Sequence, residues 1–256
     1  MSNKRLGRTG RLLLGVGGLV GFLVVWQLLV SSGIVDRNLI GSPIGAYRAG
    51  LQFLDDGKIW ADIAVTFRTL GIGLVVSLLV GAPLSVILGR WRAGWNAVEL
   101  PLLMLNATPT VALVIPIIMI IGIGPNSKVA LAFIGAVIPI LVSGRAGAAA
   151  VPEAYLRAAR VYGANRFDIF FKVVLPHSLL AVLSGTRLGV GRALTAVLVG
   201  EMYATQKGLG LWISRGQNGM DADLLAFITL FVAAAGASLI GTVNLIDRSF
   251  AGWRTP

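Results

Sequence analysis

The sequence predicts an all-α membrane protein with about six transmembrane helices. Its 256 residues are 56% hydrophobic and only 13% charged, and its mean hydropathy is +0.83. These values are typical of a polytopic membrane protein and exclude a soluble domain. Apolar runs of about 20 residues, the length needed to cross the hydrocarbon core of a bilayer, recur along the chain.

Six runs are predicted to span the bilayer. They lie at residues 12–30, 67–89, 98–121, 129–143, 179–200 and 225–246. The fourth run is short, and it becomes a full span only if it begins at Ser127 and continues to 146–150. Basic residues precede the first run, as in a secretory signal, but that run is too long for a signal core and no small-residue cleavage site follows. We therefore expect a retained first span.

The distribution of basic residues predicts the orientation. Lys and Arg cluster before the first run and after the second, fourth and sixth runs. Because short basic loops stay in the cytoplasm, both termini and the long loop at residues 144–178 are expected there. We divide the chain into residues 1–61, with the N-terminal tail, the first span and an external segment, and residues 62–256, the main transmembrane domain. The external segment includes an amphipathic stretch near 47–54 that suits a membrane surface.

Other function classes are excluded by composition and motifs. A net charge of +11 and a pI near 11.1 would suit nucleic-acid binding, but the basic residues are spread over loop ends, as membrane insertion requires. The chain has no cysteine and therefore no disulfide or thiolate metal site. It also lacks the GxxxxGK[ST] phosphate loop, so we expect no ATP site, no catalytic residue and no bound metal. The single histidine, His177, is interpreted as an interfacial residue.

The segment at residues 157–176, RAARVYGANRFDIFFKVVLP, is polar and partly amphipathic although it lies between hydrophobic spans. Arg157, Ala158 and their neighbours are strong helix formers, and Gly163 favours a helix end in the left-handed region. Pro176 favours a break and the first turn of the next helix. The pattern predicts a helical pair outside the bilayer core, where a cytoplasmic partner would have access to it.

The spacing in this segment resembles the EAA signature of bacterial ABC importer permeases. The matching residues are Ala158, Ala159, Gly163, Val173, Leu175 and Pro176. Two positions depart from the signature, because Arg157 stands where Glu is usual and Val173 where Ile is usual. Glu153 lies four residues before Arg157, on the same face of an extended helix, and is a candidate for a displaced carboxylate.

Further residues resemble the nitrate, sulfonate and taurine type of permease, over a region from Asp62 to the end of the chain. They are Gly122, Ile123, Gly124, Ser127, Lys128, Pro139, Ile140, Glu201, Met202, Gly208, Leu209, Gly210 and Ile213. The resemblance implies a type I importer permease with a MetI-like fold, which is a transport subunit and not an enzyme. It also implies a small transported solute, for which nitrate, sulfonates, taurine, pyrimidine precursors and aromatic acids are all candidates.

The resemblance also implies partners. These are a second copy of the permease in a homodimer, two cytoplasmic ATPase subunits that use ATP and Mg, an external solute-binding protein and the lipid of a bacterial cytoplasmic membrane. The region around Ala158, Ala159 and Gly163 would be the coupling helix, seated in a groove on the ATPase. The expected ATPase-coupling residues are Glu153, Arg157, Ala158, Ala159, Gly163, Leu175 and Pro176.

The translocation pathway has less distinct signals. Asn106, Thr108, Pro109, Thr110 and Pro116 interrupt the third predicted span, and a proline inside a membrane helix frees carbonyl groups that can line a cavity. We take Asn106, Thr108 and Pro109 as pathway candidates.

Three charges in or near the fifth predicted span have two interpretations. Glu201 lies at its outer end, and Arg187 and Arg192 lie within it. Such charges are costly and usually face protein or water, so they suit either a substrate pathway or structural anchoring near the helix ends. We favour anchoring, while Glu201 stays among the pathway candidates and the two arginines would suit an anionic solute.

Alternatives remain open at this stage. An ion-gradient-driven secondary transporter or channel would need titratable groups near the bilayer midplane, and the lack of a midplane Asp or Glu counts against it. A non-transporting scaffold would leave the coupling spacing unexplained. The pairs Gly17 with Gly21 and Gly185 with Gly189 suit a dimer contact or packing within one subunit, and we favour the second.

Overall fold

The computed structural model describes residues 8–55, 57–204 and 207–249. All regular elements of these residues are helical, which confirms the predicted fold class. The α-helices are α1 (Arg8–Ser31), α2 (Arg37–Ile40), α3 (Pro43–Asp55), α4 (Lys58–Arg90), α5 (Arg92–Ala107), α6 (Thr110–Ile121), α7 (Pro125–Ala149), α8 (Glu153–Val161), α9 (Arg166–Ile169), α10 (Leu175–Ala204), α11 (Leu209–Asn218) and α12 (Ala222–Ser249). A π-helical turn at Phe170–Val174 joins α9 to α10.

Five stretches of the described residues are long and apolar enough to cross a membrane. They are Leu13–Ser31, Ile59–Arg90, Pro125–Ala149, Arg166–Tyr203 and Ala222–Asp247. Helices α5 and α6 reach the same length and hydropathy only together, and they are bent by 106° at the break between them. By length and composition the described chain therefore has five spans, or six if the bent pair counts as one.

Five of the predicted runs lie inside longer helices. Helix α4 begins at Lys58 and not near residue 67, because the apolar pattern alone does not register the polar first turns of a span. Helix α7 covers 25 residues at Pro125–Ala149, so the longer of the two extents predicted for the fourth span is the one observed. The amphipathic stretch near 47–54 is helical, as part of α3.

The third predicted span is broken more sharply than its sequence indicated. Thr108 has extended φ and ψ angles of −70° and 125°, and Pro109 caps α6 without a side-chain hydrogen bond. A residue before proline is sterically excluded from the α region, which accounts for the position of the break. Pro116 lies inside α6, so the prediction that it interrupts the span is wrong.

The chain divides into two compact units, of which the first comprises residues 1–59 and 212–232. Asp223 organises this unit, because its carboxylate accepts hydrogen bonds from Arg37 Nη2 at 2.7 Å and from the Ser42 amide at 2.9 Å. A Cβ atom at Gly45 would lie 2.0 Å from the same carboxylate, so only glycine allows α3 this approach. Phe53 meets Trp212 edge to face at 4.2 Å between ring centroids.

The second unit comprises residues 60–211 and 233–256, and α7 and α10 pack along each other within it. Small residues make this packing close: a Cβ atom at Gly185 would lie 2.5 Å from the Pro139 carbonyl oxygen, and one at Gly189 would lie 3.1 Å from that of Ala136. Such close approach is typical of membrane helices. The prediction that Gly185 and Gly189 pack within one subunit is therefore confirmed.

Candidate functional site

The segment that resembles the signature begins with α8, which ends in a Schellman motif. The Gly163 amide donates to the Arg160 carbonyl at 3.0 Å, and the Ala164 amide donates to that of Ala159 at 2.9 Å. Gly163 has a φ of +81°, in the left-handed region that favours glycine. The predicted helix end at Gly163 is confirmed.

The chain then turns back into the membrane helix without a break. Asn165 and Asp168 form a capping box at the start of α9, with the Asp168 amide donating to Asn165 Oδ1 at 2.9 Å. The π-helical turn follows, and its wider spacing lets the Leu175 amide donate to the Phe170 carbonyl. Pro176 is the second residue of α10, directly after this turn. The helix is therefore not broken at Pro176 as predicted; it changes from π-helical to α-helical geometry just before this residue.

Helix α8 is fixed to three other elements by a buried apolar cluster. Leu156 is 1% exposed and packs with Val86 of α4, Ala148 of α7 and Val174 of the π-helical turn. In addition, Arg90 Nη2 donates to Glu153 Oε1 at 3.3 Å, which links the end of α4 to the start of α8. Helix α8 is therefore in contact with α4, α7 and the π-helical turn that leads into α10. The carboxylate of Glu153, the candidate substitute for the signature glutamate, is engaged within the chain.

The same segment exposes large apolar side chains. We call these residues the coupling surface, and they are Tyr155, Val161, Tyr162, Phe167 and Phe171. Tyr162 is 90% and Val161 84% exposed, which makes the segment a candidate interaction site. Ala158, which is exposed, and Ala159, which is half-buried, lie on the same helix. The ATPase-coupling role of these residues stays a prediction.

The break between α5 and α6 opens a second candidate site, a cavity of about 330 Å³ that we call the break cavity. Its wall includes the pathway candidates Asn106, Thr108 and Pro109, and α10 contributes Arg192 and Thr195. Arg192 Nη1 donates a hydrogen bond to Asn106 Oδ1. The structure therefore brings three of the four pathway candidates together with a guanidinium group, and their role in transport stays a prediction.

The fourth pathway candidate, Glu201, is not in the wall of this cavity. It is fully buried, and its carboxylate accepts hydrogen bonds from the Thr66 hydroxyl and the Gly210 amide, both at 2.9 Å. Asp62 accepts from the Gly208 amide at 2.8 Å nearby. We call Asp62, Thr66, Glu201, Gly208 and Gly210 the acid cluster. Sequence reasoning missed Asp62 and Thr66 as partners, because no local pattern connects them to α10.

The backbone at Gly208 explains how the acid cluster closes. Gly208 has a φ of +114°, and a Cβ atom there would lie 2.4 Å from the carboxyl carbon of Glu201. A glycine is needed for both reasons. The glycines that follow Glu201 were the available signal that the backbone approaches this carboxylate.

The two arginines of α10 have different environments. Arg187 forms an ion pair with Asp247 of α12 through its Nη2 atom, an arrangement that suits the anchoring interpretation. Arg192 forms no salt bridge with an acidic side chain of the described residues, and its hydrogen-bond partner is the amide of Asn106. The anchoring interpretation therefore has direct support at Arg187 alone.

A larger cavity of about 620 Å³ lies elsewhere in the second unit. We call it the basic cavity, because its charged lining residues are Arg68, Lys128 and Lys207. Lys128 is only 5% exposed although it carries an ammonium group. Among the described residues that line the break cavity and the basic cavity there is no Asp or Glu. Sequence reasoning did not identify this second cavity.

Solved structures establish the fold. The inward-facing MetNI methionine ABC transporter contains a chain that superposes with a TM-score of 0.63 at 21% identity, covering 78% of this chain and 98% of that chain. The MetI-like fold expected from the sequence is therefore confirmed.

Curated relatives match nearly the whole chain. The taurine transport system permease protein TauC of Escherichia coli is 24% identical over 246 residues, which cover 94% of this chain and 89% of TauC. The bicarbonate transport system permease protein CmpB of Synechococcus elongatus is 28% identical over 260 residues, covering 94% of this chain and 87% of CmpB. The family model for the inner membrane component of binding-protein-dependent transport systems matches residues 81–252, two thirds of the chain. The chain belongs to this family, as a multi-pass permease subunit of an ABC importer whose ATP is hydrolysed by a separate subunit.

Proposed function

We propose that this permease forms, as a homodimer, the alternating-access pathway of an importer in a bacterial inner membrane. The two copies line one pathway for a small solute, which an external binding protein delivers, and two cytoplasmic ATPase subunits drive the transport. ATP and Mg are used by that ATPase, and this chain binds no cofactor of its own. Both termini and the coupling surface lie in the cytoplasm, since the basic residues cluster in those segments.

One observation carries the coupling role: the coupling surface is apolar and exposed, while the helix that bears it is firmly anchored. Tyr162 is 90% exposed, whereas Leu156 on the same helix is 1% exposed. A partner that binds such a surface gains apolar contact without first ordering the segment, which lowers the cost of association. Arg157, Arg160 and Arg166 around it are exposed and suit acidic side chains on the ATPase.

The anchoring supplies a route for the motion. Closure of two ATPases would move α8, and the Leu156 cluster with the Arg90–Glu153 pair would transmit that motion to α4, α7 and α10. Helices α7 and α10 approach too closely to slide independently, because their contact is made through glycines such as Gly185. Since Arg192 of α10 lies in the break cavity, the same motion would change access to that cavity.

An ion-gradient-driven transporter is the rival proposal. Such a transporter needs titratable groups along its pathway, and the described residues that line the break cavity include no Asp or Glu. The family supports an ATP-driven subunit.

Co-purification with an ABC ATPase subunit from the same organism tests the coupling proposal. We expect the tagged wild-type chain to retain the ATPase in detergent and Tyr162→Asp to retain at least about tenfold less, because a carboxylate in an apolar contact costs more than the 1.4 kcal/mol that corresponds to tenfold. Gly163→Asp, which alters the turn at a φ of +81°, is expected to weaken retention as well.

Gln52→Asp is the matched control, because it adds the same charge at an exposed position of α3. It should retain the ATPase at the wild-type level, and all variants should elute as single symmetric peaks in size exclusion. Full retention by Tyr162→Asp would place the ATPase contact elsewhere on the chain. If the wild type retains no ATPase, the proposal of an ATP-driven importer is contradicted.

A further inference from the structure

The break cavity contains a charge for which the described residues supply no carboxylate partner. Arg192 is the charged residue among those that line it, beside the polar side chains of Asn106, Thr108, Thr110 and Thr195. We infer that this cavity receives the anionic group of the transported solute, with Arg192 as its counter-charge and Asn106 as the residue that orients the guanidinium. This inference rests on the proposed function and names the class of solute that it carries.

The comparison with Arg187 supports this assignment. Both arginines lie on α10, five positions apart, and a charge within a membrane span is costly unless it meets an opposite charge or water. Arg187 has Asp247 as its carboxylate partner. Among the residues that the structure describes, Arg192 has the neutral amide oxygen of Asn106 as its hydrogen-bond partner. A guanidinium group has five donor hydrogens, so most of the donors of Arg192 remain available for a ligand.

The other polar groups of the cavity are consistent with an anion. The Thr108 hydroxyl donates to the Met104 carbonyl at 2.9 Å, and the Thr195 hydroxyl donates to that of Gly191 at 3.1 Å. Those protons are used within helices, whereas the amide hydrogens of Asn106 and the guanidinium of Arg192 can face a ligand. Arg binds carboxylate, sulfonate and phosphate groups through two parallel hydrogen bonds.

The size of the cavity suits such a solute. A volume of about 330 Å³ holds on the order of ten waters at about 30 Å³ each, which is sufficient for a small organic or inorganic anion with part of its hydration.

Uptake by the assembled importer tests the inference. The permease, its ATPase and its binding protein are reconstituted in liposomes, and ATP-dependent uptake of radiolabelled taurine, ethanesulfonate and bicarbonate is measured. For an anion that the wild type takes up, we expect Arg192→Gln to lower uptake at least about tenfold, because a charge-assisted hydrogen bond is lost. Arg192→Lys keeps the positive charge but not the two parallel donors of the guanidinium group. Its uptake should lie between that of the wild type and that of Arg192→Gln.

The controls separate an anion site from a structural role. Arg48→Gln removes the same charge from an exposed position of α3 and should leave uptake within about twofold of the wild type. Arg192→Gln should still form dimers and bind the ATPase, since a loss of dimers would mean that a carboxylate of the second copy is its partner and would overturn the inference. Equal uptake by Arg192→Gln and the wild type would also overturn it.

The proposed function and this inference fail in different ways. If the complex assembles and hydrolyses ATP but imports none of the three anions, the anion site is refuted while the coupling proposal stands. If the permease does not associate with the ATPase, the importer proposal fails first and the inference fails with it.

Discussion

Helix α10 contains charged side chains in two regions that differ in how completely the fold satisfies them. Near its C-terminal end, Glu201 is fully buried and accepts hydrogen bonds from Thr66 and Gly210. Near its middle, Arg192 is exposed in the break cavity, with the amide of Asn106 as its partner. Both residues are expensive to place in a membrane helix, yet only the acid cluster compensates that cost with the donors of its own chain.

The difference indicates that some charges in this apolar chain stabilise the fold, whereas others remain accessible to a ligand. A carboxylate enclosed by donors joins elements that are distant in sequence, and here it connects α4 to the first turn of α11. A guanidinium left open at a cavity contributes little to that architecture but remains available to a ligand. Arg187 is intermediate, because it has a carboxylate partner and is only partly buried.

The largest expected effect is on the acid cluster. Glu201→Ala removes the acceptor for both the Thr66 hydroxyl and the Gly210 amide, which stay buried. Each unsatisfied buried group costs about 1–3 kcal/mol, so the free energy of unfolding should fall by about 3 kcal/mol or more. Thermal unfolding of the purified protein in detergent, followed by tryptophan fluorescence, measures this change.

Glu201→Gln is the matched control for that prediction. It keeps the shape of the side chain and one carbonyl oxygen, so we expect a smaller loss of stability than for Glu201→Ala. If Glu201→Ala unfolds at the wild-type temperature, the hydrogen bonds of the acid cluster do not stabilise the fold. Glu201 and Arg192 would then not differ in their contribution to stability.

A smaller effect is expected at the ion pair between Arg187 and Asp247. Arg187→Gln leaves a carboxylate whose side chain is only 13% exposed without its charged partner. The expected loss of stability is about 2 kcal/mol, between the values typical of exposed and fully buried pairs. The double variant Arg187→Gln with Asp247→Asn should recover most of this loss in the same unfolding experiment. A double variant that is no more stable than the single one would contradict a pairwise role.

Hydropathy was sufficient to predict the spans, because the thickness of the bilayer imposes their length. It did not locate the first turns of α4, which begins at Lys58 and contains the charge of Asp62 before its apolar run. Pro109 indicated an interruption, because proline excludes the preceding residue from the helical region. The 106° bend was not predictable, since an angle between helices depends on what each of them packs against.

The candidate sites were predictable only where their residues are neighbours in sequence. The turn at Gly163 could be read from the chain, because its hydrogen bonds are local. Thr66 and Glu201 are 135 positions apart, and Arg90 and Glu153 are 63 apart. Sequence reasoning placed Glu201 and Asn106 together among the pathway candidates, because a costly charge and an interrupted span both suit a pathway. Their different environments appear only when α4 and α10 are packed.

The smallest expected effect on stability is at Arg192. Arg192→Gln removes an exposed charge and one hydrogen bond to Asn106, and neither change leaves a buried group without a partner. The unfolding temperature should match that of the wild type, with a free-energy change within about 0.5 kcal/mol. Measuring Arg192→Gln and Arg187→Gln in the same unfolding experiment shows whether the two arginines contribute differently to stability. A loss of stability as large as that of Arg187→Gln would make Arg192 another structural anchor. Unchanged stability together with reduced anion uptake would identify Arg192 as a residue that binds the solute and does not stabilise the fold.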